Sequence, residues 1–136
     1  KNNLKFDLII GIHTFDHISQ LNDYFEKLLN HINDMGLVFG VVHNENSYMA
    51  RLFKKKWPIF RLQHPHLFNH KTINDFFIKY KFKKVFINRT KNYFNIGFLI
   101  NQLFLSLFKI KTTFPKFFSV GIKLGNFAFL YQKINQ

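Results

Sequence analysis

Apolar and polar positions along the chain switch between two periods. Phe6 to Ile12 (FDLIIGI) is a nearly continuous apolar run, the pattern of a strand buried on both faces of a parallel sheet. The next segment changes period. Ile18, Leu21, Phe25, Leu28, Leu29 and Ile32 share one stripe at helical spacing, with Asp23, Glu26, Lys27 and Asn30 opposite. Ser19 is the expected N-cap of this helix, and Gly36 stands where a left-handed C-terminal residue belongs. Leu37 to His43 (LVFGVVH) is a second buried strand. Strand, amphipathic helix and strand in that order make a βαβ unit, so the two strands should run parallel.

An irregular region follows, broken by Pro58 and Pro65. Asn69 then caps a helix expected over His70 to Tyr80, which buries Ile73, Phe76 and Phe77. Val85 to Asn88 reads as a third strand. A mainly apolar helix spans Gly97 to Phe108, a connector surrounds Pro115, and a last strand runs from Asn126 to Lys133 after Gly125. There is no internal repeat and no low-complexity linker, so residues 1–136 are expected to form a single domain of α/β class. The longest apolar stretch, GFLINQLFLSLF, falls short of the ~20 residues a membrane-spanning helix needs, and it carries Asn101, Gln102 and Ser106.

Composition adds limits. At 136 residues and 47% hydrophobic, the chain can bury a core and is not of disordered type. It has no cysteine, which removes disulfides, thiolate catalysis and thiolate zinc sites and points weakly to a reducing, cytoplasmic setting. The formal charge of +13 raises the question of nucleic acid. The lysines are spread out, with one tight run at Lys54-Lys55-Lys56, and Lys, Asn, Ile and Phe are all abundant, as compositional drift produces. No nucleic-acid partner is expected. Lys109 and Lys111 after the apolar helix suit a membrane surface, but such helices are more often core or lid.

The titratable residues crowd into one loop. Gly11 closes the first apolar run, and His13, Thr14, Phe15, Asp16 and His17 follow at the carboxyl end of the strand. Open α/β sheets bind ligands at that end. His13 and His17 are four residues apart, and His64, His66 and His70 come later, but no matched carboxylate accompanies the later trio. No metal is expected from this spacing.

The order of these segments resembles the C-terminal half of a class I S-adenosylmethionine-dependent methyltransferase, in the small-molecule branch that includes ubiquinone-type O-methyltransferases. FDLIIGIHTFDHI resembles that family's fourth strand and its acidic-His pair, here Asp16-His17. Asp34-Met35-Gly36-Leu37-Val38 resembles the entry to strand five. Trp57, His64 and Phe68-Asn69 resemble the segment before the next helix, and GNFAFLYQK resembles strand seven. The resemblance covers about Lys5 to Lys133.

It implies a partial Rossmann-like sheet of strands four to seven, the last one antiparallel, with flanking helices. It further implies methyl transfer from S-adenosylmethionine to a small-molecule acceptor. Gly11, Ile12, His13 and His17 should meet the cofactor, and Asn44 and Trp57 the acceptor. His43 and His64 are the candidate bases, because a near-neutral imidazole suits proton removal from an acceptor hydroxyl. The family's G-x-G-x-G loop and the acidic residue that binds the ribose are absent from residues 1–136. Half a cofactor pocket is expected: a longer polypeptide or a partner chain completes it, or the chain has lost the activity, and the lack of Met at position 1 favours a fragment. Lys81 replaces the Gly that usually ends the helix before strand six, so that helix is expected to end differently. A basic, aromatic-rich nucleic-acid module and a non-catalytic membrane-surface protein are the alternatives, and neither accounts for the βαβ order.

Overall fold

The computed structural model describes residues 4–54, 64–115, 118–123 and 125–135. Its elements are β1 (Phe6–Ile12), α1 (Leu21–Leu29), β2 (Ile32–His43), α2 (Tyr48–Phe53), α3 (His70–Lys79), β3 (Phe82–Arg89), β4 (Asn92–Asn95), α4 (Ile96–Phe108), β5 (Ser119–Ile122) and β6 (Asn126–Lys133). Contacts divide the chain into two compact units, Lys91–Leu124 and the remainder.

The larger unit is a mixed α/β structure with a four-stranded sheet in the order β1-β2-β6-β3. β1 and β2 are parallel, as the βαβ pattern requires, with Leu8 opposite Leu37 and Ile12 opposite Val41. β6 is antiparallel to both of its neighbours, β2 and β3. β1, β2 and β3 therefore point the same way. Their last residues, Ile12, His43 and Arg89, lie at one edge beside Asn126, the first residue of β6.

The core lies between the sheet and the helices α1 and α3. Phe25, Phe77, Phe127, Phe129 and Tyr131 are fully buried, joined by Ile32, Ile73, Val38 and Val42. Phe77 stacks on Tyr131 at 4.2 Å and meets Phe25 edge-on at 5.3 Å. The Tyr131 hydroxyl donates to Asn74 at 3.0 Å, so its polar end is satisfied within this aromatic layer.

α3 starts where the sequence indicates. The Asn69 side chain accepts from the backbone of Lys71 and Thr72, and the Thr72 hydroxyl accepts from the Asn69 N–H, which closes a capping box. Ile73 and Phe77 are buried as expected, while Phe76 is only partly so. β6 has the predicted bounds, and β3 extends the predicted Val85 to Asn88 at both ends.

Five expectations are corrected. β1 is not buried on both faces: Phe6, Leu8, Ile10 and Ile12 are 47–60% exposed, because they point away from the face that α1 and α3 cover and, among the described residues, β1 has a strand partner on one side only. Ser19 does not cap α1. Gln20 holds the cap position without a side-chain hydrogen bond, and Ile18 packs on the core from the preceding loop. The first helix also stops short, at Leu29. Ile32, assigned to its apolar stripe, opens β2 instead, drawn to the sheet as Phe6 N–H bonds His31 carbonyl at 2.8 Å. Gly36 is not left-handed; Met35 takes that conformation, with φ 63°. A Cβ on Gly36 would lie 2.6 Å from Ile32 Cγ1, so close packing is what the glycine provides. Lys81 does adopt the left-handed conformation the sequence argued against, with φ 61°, and its carbonyl accepts from Ile134 N–H at 3.0 Å. That tie to the end of β6 helps hold a conformation costing ~1 kcal/mol for a non-glycine residue.

The smaller unit pairs β4 with β5 antiparallel, Tyr93 opposite Gly121. Neither strand was legible in the sequence. Asn95 caps α4 by accepting from Phe98 N–H, and Lys109 ends it in a left-handed turn. Thr112 and Phe114 both donate to Asn101 Oδ1 at 3.0 Å, which folds the connector back on the helix. No helix among the described residues is long and apolar enough to cross a membrane.

Candidate functional site

Two glycines shape the loop after β1. Gly11 and Gly40 are partners in adjacent strands. A Cβ on Gly11 would lie 2.7 Å from the Phe15 ring, and one on Gly40 would lie 2.1 Å from the Phe129 ring. Without side chains at either position, Phe15 folds back over the sheet. It is buried and meets Phe129 at 5.7 Å and Phe77 at 6.3 Å. His13 turns the chain, with φ 49° and its N–H on Val41 carbonyl at 2.8 Å. His17 N–H closes the turn onto Thr14 carbonyl. Phe15 thus anchors the loop and carries Asp16 inward.

Asp16 is 1% exposed and stands at the centre of four imidazoles. His43 Nδ1 is 2.5 Å from Asp16 Oδ2, and His43 N–H reaches the same oxygen at 3.4 Å. His13 Nδ1 is 4.0 Å from Oδ2. The rings of His13 and His43 lie 4.5 Å apart, those of His43 and His64 4.9 Å, and those of His17 and His64 4.3 Å. Asn126 Nδ2 approaches His13 Nε2 at 3.4 Å from the start of β6.

His64 joins this group because its segment is tied down on both sides. Phe68 bridges to Asn44, and its carbonyl accepts from Glu45 N–H at 2.9 Å. His66 reaches Ser19 carbonyl at 3.2 Å. The segment after the undescribed stretch is thereby laid against the Gly11–His17 loop.

The electrostatics follow from this packing. Burial raises the Asp16 carboxyl, but the imidazoles of His13 and His43 outweigh it and hold Asp16 well below the usual carboxylate range. Burial lowers the His64 imidazole, and so do His43, His17 and His13; Asp16 opposes them without reversing the shift. A carboxylate on His43 Nδ1 keeps the proton there and leaves Nε2 as the acceptor.

Among the sequence-derived site residues, the fold gathers Gly11, Ile12, His13, His17, His43 and His64 within one corner of the sheet edge. Asn44 adjoins them, but it is buried, and its Oδ1 accepts from Asn46 N–H at 2.9 Å. With Asn46, Arg51, Asn69, His70, Lys71 and Arg89 it lines a neighbouring pocket of about 260 Å³. Trp57 lies outside the described residues. Asp16 was noted in sequence only as half of the Asp16-His17 pair, yet it organises the cluster. The available signal was a lone acid among three histidine and aromatic neighbours, in a chain with only seven acidic residues.

A sequence-family model described as a methyltransferase domain matches residues 1–85, more than half of the chain. The match runs from β1 through the start of β3 and includes His13, Asp16, His17, His43 and His64. The chain belongs to the methyltransferase domain family. No curated protein matches it.

Proposed function

We propose that this chain forms the C-terminal half of an S-adenosylmethionine-dependent methyltransferase acting on a small-molecule acceptor, with β1, β2, β3 and β6 as the family's strands four, five, six and seven. The observation that carries the reading is the convergence of His13, Asp16, His17, His43 and His64 at the carboxyl edge of three parallel strands. The backbone from Gly11 to His13 and the His17 side chain face the methionine part of the cofactor. His43 is the acceptor-side base: Asp16 holds its Nδ1, so Nε2 is free to take a proton from an acceptor hydroxyl. His64 is the second candidate. Most of the rate comes from holding the acceptor in line with the sulfonium, with proton removal a lesser contribution.

The glycine-rich loop and the ribose-binding acid come from polypeptide outside residues 1–136, in the same chain or a partner. The open side of β1 supports this. Phe6, Leu8, Ile10 and Ile12 present an apolar row on an edge strand whose outer side has no strand partner among the described residues. A neighbouring strand would pair with the free edge, and the helices that come with it would cover the row.

The test is a titration of residues 1–136 with S-adenosylhomocysteine, followed by amide NMR. Weak, millimolar-range binding with shifts confined to Gly11–His17 is expected. Shifts elsewhere, or none, would overturn the cofactor assignment, and micromolar affinity would overturn the half-pocket.

A further inference from the structure

We propose that Asp16, His17 and His64 form a binding site for a divalent first-row transition-metal cation of the zinc class. Their ligating atoms all lie within 4.8 Å of one another. Two ligands on one ion at ~2.1 Å each are at most ~4.2 Å apart, so small ring rotations of His17 and His64 close the set. Two imidazoles and one carboxylate, with no thiolate, select zinc and its neighbours over magnesium or calcium, which take oxygen donors.

Unused bonding capacity supports the assignment. Asp16 Oδ1 and His64 Nδ1 are both buried and have no hydrogen-bond partner. A buried carboxylate oxygen without a partner has given up its water for nothing in return, which is unfavourable. One cation between them satisfies both atoms. The sequence spacing argued against a metal because the later histidines had no carboxylate; the fold supplies Asp16 from the other side of β2.

A second group, His13, Asp16 and His43, also lies within 4.8 Å. In that group His43 Nδ1 and Asp16 Oδ2 are already bonded to each other at 2.5 Å, which leaves no room for an ion. That bond acts instead as outer support: it fixes the carboxylate so that Oδ1 faces its other neighbours. No hydrogen bond joins the side chains of Asp16, His17 and His64. His17 is exposed, so the ion enters from solvent on its side. Three protein ligands leave a fourth position open to water or to an oxygen of a bound ligand, as in exchangeable rather than closed sites. The inference stands whether or not methyl transfer is the chain's activity.

The test uses the untagged full chain, stripped with chelator and dialysed against Zn²⁺, with Co²⁺ as a spectroscopic probe. A single equivalent should bind, with Co²⁺ ligand-field bands of nitrogen and oxygen coordination. His17→Ala and His64→Ala should each weaken Zn²⁺ binding by at least ~10-fold and change the Co²⁺ bands, while His31→Ala leaves both unchanged. His17 is exposed, so His17→Ala keeps the fold, which circular dichroism checks. Absence of saturable uptake, or wild-type affinity in either His17→Ala or His64→Ala, would overturn the proposal.

Discussion

β1 and β2 are neighbouring strands of similar sequence whose fates agree on one face of the sheet and part on the other. FDLIIGI and LVFGVVH are both apolar runs interrupted by one glycine, and those glycines are partners in the sheet. On the face that α1 and α3 cover, Val38, Gly40 and Val42 of β2 are buried, and their neighbours Ile9 and Gly11 of β1 are partly and fully buried. On the other face Leu8, Ile10 and Ile12 of β1 are exposed, whereas their partners Leu37, Phe39 and Val41 of β2 are partly covered. The difference on that face is position. Among the described residues β2 has β1 on one side and β6 on the other, and β1 has a strand partner on one side only. An apolar pattern records which faces a strand is suited to bury, and the surrounding polypeptide decides which it does bury.

This contrast can be tested by mutation. Phe129 on β6 packs under Gly40 and is fully buried, so Phe129→Ala should lower stability by ~3–5 kcal/mol in urea denaturation. Ile10→Ala on β1 should change it by less than ~0.5 kcal/mol. Equal losses would abolish the distinction between the covered and the open face. The glycine pair gives the next effect. Gly40→Ala drives a methyl into the Phe129 ring and should lose ~1–3 kcal/mol. Gly11→Ala should lose less, because the Phe15 loop can give way, and thermal melting of the two variants would rank them.

A smaller effect tests whether the helices follow local rules regardless of the sheet. Asn69→Ala removes the capping box of α3 and should lower stability by ~1 kcal/mol, read as a shift in the urea midpoint. The smallest concerns pH. His70, in the first turn of α3, meets the Phe127 ring edge-on at 4.9 Å. Burial, and then the Arg89 charge, lower its imidazole below the ordinary 6.5. The unfolded chain therefore binds the proton more readily, so His70's contribution is intact above pH 6.5 and is lost as pH falls below it. His70→Gln should flatten the acid side of the stability profile between pH 7.5 and 5; an unchanged slope would remove His70 from the account.

What the sequence disclosed depends on how local the information was. β6, the α3 cap and the parallel β1–β2 pair rest on short-range patterns and were readable. The end of α1 was not, because Ile32 continues the helical stripe while belonging to β2. β4 and β5 have four residues each, too few for an alternation to register. Lys81 violates a local preference that a contact with Ile134 overrides. The histidine cluster was visible only in part. His13 and His17 lie in one loop, but the bond between Asp16 and His43 joins residues 27 apart, and His64 arrives from a segment with no regular structure. Residue types suggested chemistry there; only the fold showed that one carboxylate serves all of them.

β6 is last in sequence but lies between β2 and β3. During synthesis, which proceeds from the N-terminus, β3 has no strand to pair with among the described residues until β6 emerges. The sheet can close only in one late step, over sequence separations of about ninety residues between β2 and β6 and about forty-five between β3 and β6, the long-range closure that slows folding. A ribosome stalled before Asn126 would hold a βαβ hairpin and a lone strand, with Phe77 and Phe82 waiting for the aromatic residues that cover them.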